Sequence, residues 1–381
     1  MRLPPLVEPV DELSENERAR TARHIRLAPL GELGQRRLAA AHVAVVGAGG
    51  LGSPVILALA AAGVGTLTVI DDDIVEASNL QRQVIHSLAA LGQPKVDSAR
   101  AVIAGLSPQT RVVTRNTRLS EANAADLLHG ADLVIDGSDT FDTREAVAAA
   151  TEALGIPLVW GTVQEFDGQV TVFWASPPPG ATPVRLADLY PSGSVGDVPT
   201  CADVGVLGAL CLQIGSLMAT EAIKLITGIG EPLLGRVLVI DGLRARQREV
   251  PLAPSTARAA PASTPASTHA TDTAPTASPH IDAVTLAALI EGGTTPDLVD
   301  VREAHELERG AITGIRHIPL ADLLADPAGA APPPHASTPT VVICQVGVRA
   351  RRAADALRAV GVDAVVLTGG MDAWARSRRE S

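Results

Sequence analysis

The chain has 381 residues, 46% of them hydrophobic and 19% charged, with 31 Lys plus Arg against 42 Asp plus Glu and a net charge of -11. That length accommodates two domains of ordinary size, and the acidic balance disfavours non-specific binding to nucleic acid or anionic lipid. Three scattered cysteines, Cys201, Cys211 and Cys344, exclude a disulfide framework and a CxxC metal site, and fit a reducing cytoplasm.

The first twenty residues are proline-rich and acidic with no apolar core, so no signal peptide is expected. Asn16 to Leu38 reads as a helical lead-in carrying Arg18, Arg20, Arg23 and Arg26, which on spacing alone is equally a solvated basic face. His42 to Val46 is a short β-branched run suited to a buried parallel strand, and it breaks into Gly47-Ala48-Gly49-Gly50-Leu51-Gly52. Glycines at 47, 49 and 52 permit a tight turn, close backbone approach to phosphate and tight helix–strand packing, with helix-start N–H groups facing the anion. A second strand, Thr66 to Ile70, delivers Asp71 at the distance from the glycines where a carboxylate reaches a ribose. Val43 to Ile70 is uncharged and long enough to span a bilayer, but its order of strand, glycine turn, Ala-rich helix and strand argues against that.

The next segment narrows the chemistry. Asp71-Asp72-Asp73 is followed by Ser78-Asn79-Leu80-Gln81-Arg82-Gln83 and then Gly92-Gln93-Pro94-Lys95. Hydride transfer needs no cations converging on a triphosphate, whereas displacement at phosphorus needs Arg and Lys near the leaving pyrophosphate and a carboxylate for Mg²⁺. Lys95 and Lys224 are the only lysines, and a Lys inside this block fits a point-charge role. The combination GAGGLG, DDD, SNLQRQ and GQPK resembles the ThiF/MoeB branch of the ubiquitin-activating enzyme superfamily. That resemblance implies ATP with Mg²⁺. It assigns the nucleotide to Gly47, Gly49, Gly50, Gly52, Asp71, Asp73, Asn79, Arg82, Gln83 and Lys95, with Asp71 on the ribose and Arg82 and Lys95 on the phosphates. It also implies that Arg23 reaches the phosphates of a second subunit, hence a homodimer.

After Lys95, helices at 96–105, 121–129 and 144–154 alternate with strands at 111–115, 133–136 and 157–160, which builds a mostly parallel sheet covered on both faces. Asp139 lies just past the strand ending at Asp136; the resemblance makes it the Mg²⁺ and nucleotide aspartate, and a helix N-cap is the plainer reading. Thr140 stands where relatives carry Asn. Gly168 to Trp174 and Arg236 to Ile240 extend the sheet, the first as an antiparallel strand. Between them a Pro/Gly-rich loop ends in Thr200-Cys201-Ala202-Asp203, and an apolar helix is expected from Val204 to Ile226. A thiolate just before a helix start is favoured by the dipole. The resemblance makes Cys201 the loop cysteine of acyl or disulfide transfer, with a small buried hydrophobe as the alternative. Cys211, inside the helix, reads as a buried hydrophobe. Relatives hold structural zinc with two CxxC pairs; none occurs at 184–188 or after Val250, so no zinc site is expected.

Residues 251–280 are nearly all Ala, Pro, Ser and Thr and read as a flexible tether of roughly 30 Å average span. Such a tether supplies an effective concentration of about millimolar order. Residues 281–381 form a second, smaller α/β unit after the first at 1–250. In it a strand at 339–343 runs into Cys344-Gln345-Val346-Gly347-Val348-Arg349 and a helix over 350–360. Inward backbone N–H groups, the helix start and Arg349 all favour an anionic sulfur there. With LVDVRE, HIPL and TGGMDAWA this resembles a rhodanese domain, whose loop cysteine carries a persulfide; Ala311 stands where that family has His.

Together the resemblances imply an α/β, Rossmann-like, mostly parallel sheet with an antiparallel extension, followed by a rhodanese domain. The function they imply is adenylylation of the C-terminal Gly-Gly carboxylate of a ubiquitin-like sulfur carrier, then sulfur transfer through Cys344 to give a thiocarboxylate. Molybdenum cofactor or thiamine synthesis is the implied setting, with thiosulfate or a cysteine desulfurase persulfide as donor. Two rivals stand beside this reading. An NAD-dependent oxidoreductase leaves Arg82, Lys95 and the second unit without work, and a carrier-binding scaffold with a degenerate nucleotide site draws only on Thr140, Ala311 and the missing zinc ligands.

Overall fold

The computed structural model describes residues 2–191, 205–254, 279–293, 296–307, 310–331, 339–345 and 347–378. Contacts divide them into two units, one up to residue 254 and the other from residue 279. The first is an eight-stranded sheet of β1 (His42–Val46), β2 (Thr66–Ile70), β3 (Arg111–Arg115), β4 (Leu133–Asp136), β5 (Leu158–Gln164), β6 (Asp167–Phe173), β7 (Arg236–Asp241) and β8 (Arg246–Pro251). Its order is β3-β2-β1-β4-β5-β6-β7-β8. The first five strands in that order run parallel, and β6, β7 and β8 each pair antiparallel with the preceding strand. The expected architecture is therefore present, including the antiparallel extension.

β1, β2 and β4 are apolar runs because helices cover both faces and leave no polar side to the sheet. The helix Gly52–Ala62 is apolar nearly all round, and lies against the helix Gly208–Thr227. The two approach through Gly215, where a Cβ would stand 2.4 Å from Pro54 Cγ and 2.7 Å from the Leu51 carbonyl oxygen. Gly208–Thr227 is long and apolar enough to cross a membrane, yet Cys211, Ile214, Met218, Ala222 and Leu225 are buried within the unit. Each fully buried Leu or Ile of this kind stabilises the fold by about 1.5–3 kcal/mol.

Several local expectations change. The lead-in is three helices, Glu15–Arg20, Ala22–Ile25 and Gly31–Ala40, the last two separated around Pro29, which disfavours helical backbone at the residue before it. The long apolar helix starts at Gly208 rather than Val204; residues 192–204, with Cys201 and its expected place before a helix start among them, lie outside the described residues. β8 was not expected: its side chains are all exposed or nearly so, and the backbone ladder to β7 defines it instead. Pro251 and His280, the ends of the expected tether, both sit in strands, and 255–278 lie outside the described residues.

The second unit is a five-stranded, all-parallel sheet of β9 (His280–Ile281), β10 (Leu298–Asp300), β11 (Arg316–His317), β12 (Thr340–Ile343) and β13 (Ala364–Leu367), in the order β11-β10-β12-β13-β9. Val299, Val342 and Val366 pack one face of it with Leu323, Ala353 and Leu357, and Leu298, Val341 and Ile343 pack the other with Leu286 and Met371.

Candidate active sites

The strand order of the first sheet reverses between β1 and β4, so the segments leaving these strands diverge and open a crevice at their carboxyl ends. Gly47, Gly49, Gly50, Asp71, Asp73, Arg82, Gln83, Lys95 and Asp139 all line one cavity there, joined by Thr117 to Leu119 after β3, by Ser138 and Arg144, and by Cys211. The glycine turn admits no larger residue at 52, where a Cβ would stand 1.8 Å from the Gly47 carbonyl oxygen. At Gly49 a Cβ would meet only Gln83 Nε2, at 3.6 Å, and would fill the cavity itself, the space a phosphate needs. Gln83 Oε1 is buried there without a hydrogen-bond partner. These features fit a bound nucleotide.

One peptide unit of the turn is fixed at both ends. Ala48 N–H donates to Asp71 Oδ2 at 2.7 Å, and the Ala48 carbonyl accepts from His86 Nε2 at 2.9 Å. A carbonyl only accepts, so Nε2 carries the proton and Nδ1 accepts from Ser98 Oγ at 2.9 Å. Burial holds the His86 pKa down, in keeping with that neutral tautomer. Asp71 Oδ1 accepts from Asp73 N–H at 2.9 Å. Burial pushes the Asp71 carboxyl up and nearby Lys95 opposes this.

Lys95 opens the helix Lys95–Leu106, where a cation opposes the helix dipole. It is nonetheless buried, with Nζ 2.7 Å from Asp73 Oδ2, an arrangement that an anionic ligand in the cavity would favour. The carboxylates of Asp71, Asp72 and Asp73 lie within 4.8 Å of one another, but the first is bonded to the turn and the third to Lys95. Arg82 donates to the Ser78 carbonyl at 3.2 Å. Asn79 is buried outside the cavity lining and orders the 76–79 turn by accepting from Glu76 N–H at 3.3 Å. Asp139 is exposed to the cavity, and Thr140 rather than Asp139 occupies the N-cap position of Phe141–Leu154. Beneath them Asp136 is fully buried, and its carboxyl is raised chiefly by that burial, while Arg144 donates to the Ser138 carbonyl and to Thr162 Oγ1, both at 3.1 Å. Arg23 is exposed on its short helix and does not line the cavity of its own chain.

In the second unit β12 delivers Cys344 at its carboxyl end, and the helix Val348–Ala359 begins four residues later. Gly347 N–H donates to Cys344 Sγ at 3.1 Å, and the thiol residue is 1% exposed. The loop is clasped from below: Met371 N–H donates to the Cys344 carbonyl at 2.9 Å and Asp372 N–H to that of Gln345 at 3.1 Å. That approach requires Gly370, whose Cβ would stand 2.2 Å from the Cys344 carbonyl oxygen at φ +53°. Arg349, expected to favour an anionic sulfur, has its guanidinium fork paired within the unit. Nη1 and Nη2 both donate to Glu306, at 2.6 and 2.7 Å, and this holds the Glu306 carboxyl down at about 2.

Residues 21–260 match the ThiF family model. The chain belongs to the ThiF family. Residues 282–377 of this ThiF-family chain match the rhodanese-like domain model as well. It is 44% identical to the probable adenylyltransferase/sulfurtransferase MoeZ of Mycobacterium tuberculosis over 98% of this chain and 97% of that one. It is also 44% identical to the sulfur carrier protein adenylyltransferase of Thermus thermophilus, over 62% of this chain and 88% of that one. In fold it is similar to the crystal structure of Escherichia coli MccB with ATP, with a TM-score of 0.55 at 19% identity, covering 64% of this chain and 74% of that one. The ThiF-family chain is thus an enzyme joining an adenylyltransferase unit to a sulfurtransferase unit. Sequence reasoning missed His86, Ser98, Arg144 and Glu306, because each acts through a partner distant in the chain and none stands in a diagnostic spacing. Cys211 is both the buried residue expected and a wall of the glycine-lined cavity.

Proposed function

We propose that this enzyme adenylylates the C-terminal Gly-Gly carboxylate of a ubiquitin-like sulfur carrier and converts it to a thiocarboxylate. Residues 1–250 would carry the first reaction and 281–381 the second, with 251–280 as the tether. The observation that carries this reading is the coexistence, in one chain, of a glycine-lined crevice with buried Lys95 and a cysteine loop on a separate sheet. A carboxylate oxygen of the carrier attacks the α-phosphorus of ATP, and the bond to the β-phosphate oxygen breaks to release pyrophosphate. Asp71 holds the ribose, Arg82, Lys95 and the partner subunit's Arg23 hold the phosphates, and Asp139 would hold Mg²⁺. When bound, Mg²⁺ supplies charge neutralisation at the phosphates. The outer sulfur of a Cys344 persulfide then attacks the acyl carbon, expelling AMP. A second thiol, Cys201 or an external one, cleaves the S–S bond, so that a disulfide and the thiocarboxylate remain.

On this reading the enzyme is a cytoplasmic homodimer serving molybdenum cofactor or thiamine synthesis, and folds without zinc because three cysteines cannot supply a Cys₄ site. The name of the Thermus thermophilus relative supports a sulfur carrier as substrate. ATP–pyrophosphate exchange stimulated by a Gly-Gly carrier is the expected result. Exchange that no such carrier stimulates, with the carrier still bound, would favour the scaffold reading.

The pH dependence of that exchange follows from Asp71. An acid whose folded pKa is raised keeps its proton to higher pH, so kcat/KM for ATP should fall on the acid side above the ordinary value of 3.8. Asp71→Asn should lower exchange and remove that limb. A limb that persists unchanged in the variant assigns it to another group.

A further inference from the structure

The charges around the Cys344 loop bear on which sulfur donors it accepts. Arg349 is the loop's own cation and lies close enough to Cys344 for their charges to interact. Its fork is closed on Glu306 by two charge-assisted hydrogen bonds, with the side chains only 14% and 17% exposed. Glu306 is anchored in turn, Oε2 accepting from Glu303 N–H at 2.8 Å. Held at about 2, the Glu306 carboxyl stays ionised throughout the working pH range, so the pair is neutral.

A second guanidinium beside the loop is no freer. Arg302, 1% exposed, pairs with fully buried Asp300 at 2.7 Å. Its remaining N–H groups go to Gln345 Oε1 at 3.2 Å and to the Gly310 carbonyl at 2.9 Å. Asp372 accepts from Gln345 on the far side, and the charge of Glu303 reaches Arg349. Arg349 and Arg302 thus stand among four carboxylates. A dianion such as thiosulfate finds neither of these guanidinium groups unpaired.

We propose that Glu306 is a specificity-determining residue which, by neutralising Arg349, restricts the Cys344 loop to sulfane-sulfur donors of single negative charge, thiol persulfides among them. The inference rests on the reading of Cys344 as the sulfur-accepting thiol. The Cys344 thiolate attacks the donor's outer sulfur; a new S–S bond forms as the donor's S–S bond breaks. The electron pair leaves on a thiolate, a sulfinate or a sulfite, and no oxidant or reductant is consumed. A second negative charge on the leaving group finds Arg349 already paired with Glu306.

The test compares thiosulfate with methanethiosulfonate, which offers a similar S–S bond with one negative charge fewer, in sulfur transfer to cyanide by the full chain. Wild type should favour methanethiosulfonate in kcat/KM by about tenfold or more, the scale of one unit charge a few ångströms away in a partly screened site. Added salt should narrow that gap. Glu306→Gln should raise kcat/KM for thiosulfate by about tenfold, chiefly through KM, and move methanethiosulfonate by less than about threefold. A wild type that favours thiosulfate overturns the proposal without recourse to any variant. So does a Gln variant that shifts both donors alike, which marks Glu306 as structural. Sulfur found on Cys344 from neither donor, read by intact mass of wild type, overturns the sulfur-acceptor reading and this inference with it.

Discussion

Cys344→Ser is expected to abolish sulfur transfer and thiocarboxylate formation while leaving ATP–pyrophosphate exchange intact. Removal of a covalent nucleophile costs several orders of magnitude in rate, and a serine hydroxyl neither carries a sulfane sulfur nor matches a thiolate as nucleophile. The expectation rests on loop geometry. Gly347 N–H already points at the Cys344 sulfur, and the backbone clasp from Met371 and Asp372 fixes the peptide that bears it. Serine is close enough in volume for the buried site to keep its packing, so a folded variant is expected. Incubation of wild type with a sulfur donor should add roughly 32 Da, one sulfur atom on the thiolate nucleophile. Peptide mapping should locate it on Cys344. An adduct on Cys201 with Cys344 unmodified reverses the assignment. Cys201→Ser should slow turnover more mildly, because an external thiol can take over product release.

Lys95→Ala should reduce exchange by about 10²- to 10³-fold, by analogy with the removal of one preorganised donor to a developing charge. Arg23→Ala should do the same if Arg23 completes the site of a second subunit, since in its own chain it is exposed and outside the cavity. Mixing the two variants discriminates between a contribution within the chain and one across the dimer. A hybrid dimer pairs one site lacking both groups with one site lacking neither, so random exchange should restore about a quarter of wild-type activity. No recovery, with subunit exchange verified, removes Arg23 from the composite site. Lys95 is a demanding residue to replace because it is 5% exposed. Lys95→Met, which keeps the stem and removes the charge, therefore separates loss of charge from loss of packing.

The sequence by itself determined the elements whose cause is local. The strands from His42 and Thr66 and the turn between Gly47 and Gly52 were legible because β-branched runs and glycines restrict the backbone wherever they stand. The cavity residues from Gly47 to Asp139 were legible because a parallel sheet puts whatever follows each strand at one end. Cys344 was legible for the same reason in the second sheet. Tertiary structure alone decided how those residues are partnered. Glu306 reaches Arg349 across 43 positions, and His86 reaches Ala48 across 38, so neither pair leaves a periodic trace. β8 leaves none either, because its exposed side chains show no alternation and only the ladder to β7 makes it a strand. Burial acts likewise through the whole fold: it raises the Asp71 carboxyl and places Cys211 against the glycine-lined cavity. Backbone preference is a property of a few consecutive residues, whereas charge pairing and desolvation depend on which surfaces the finished sheet brings together.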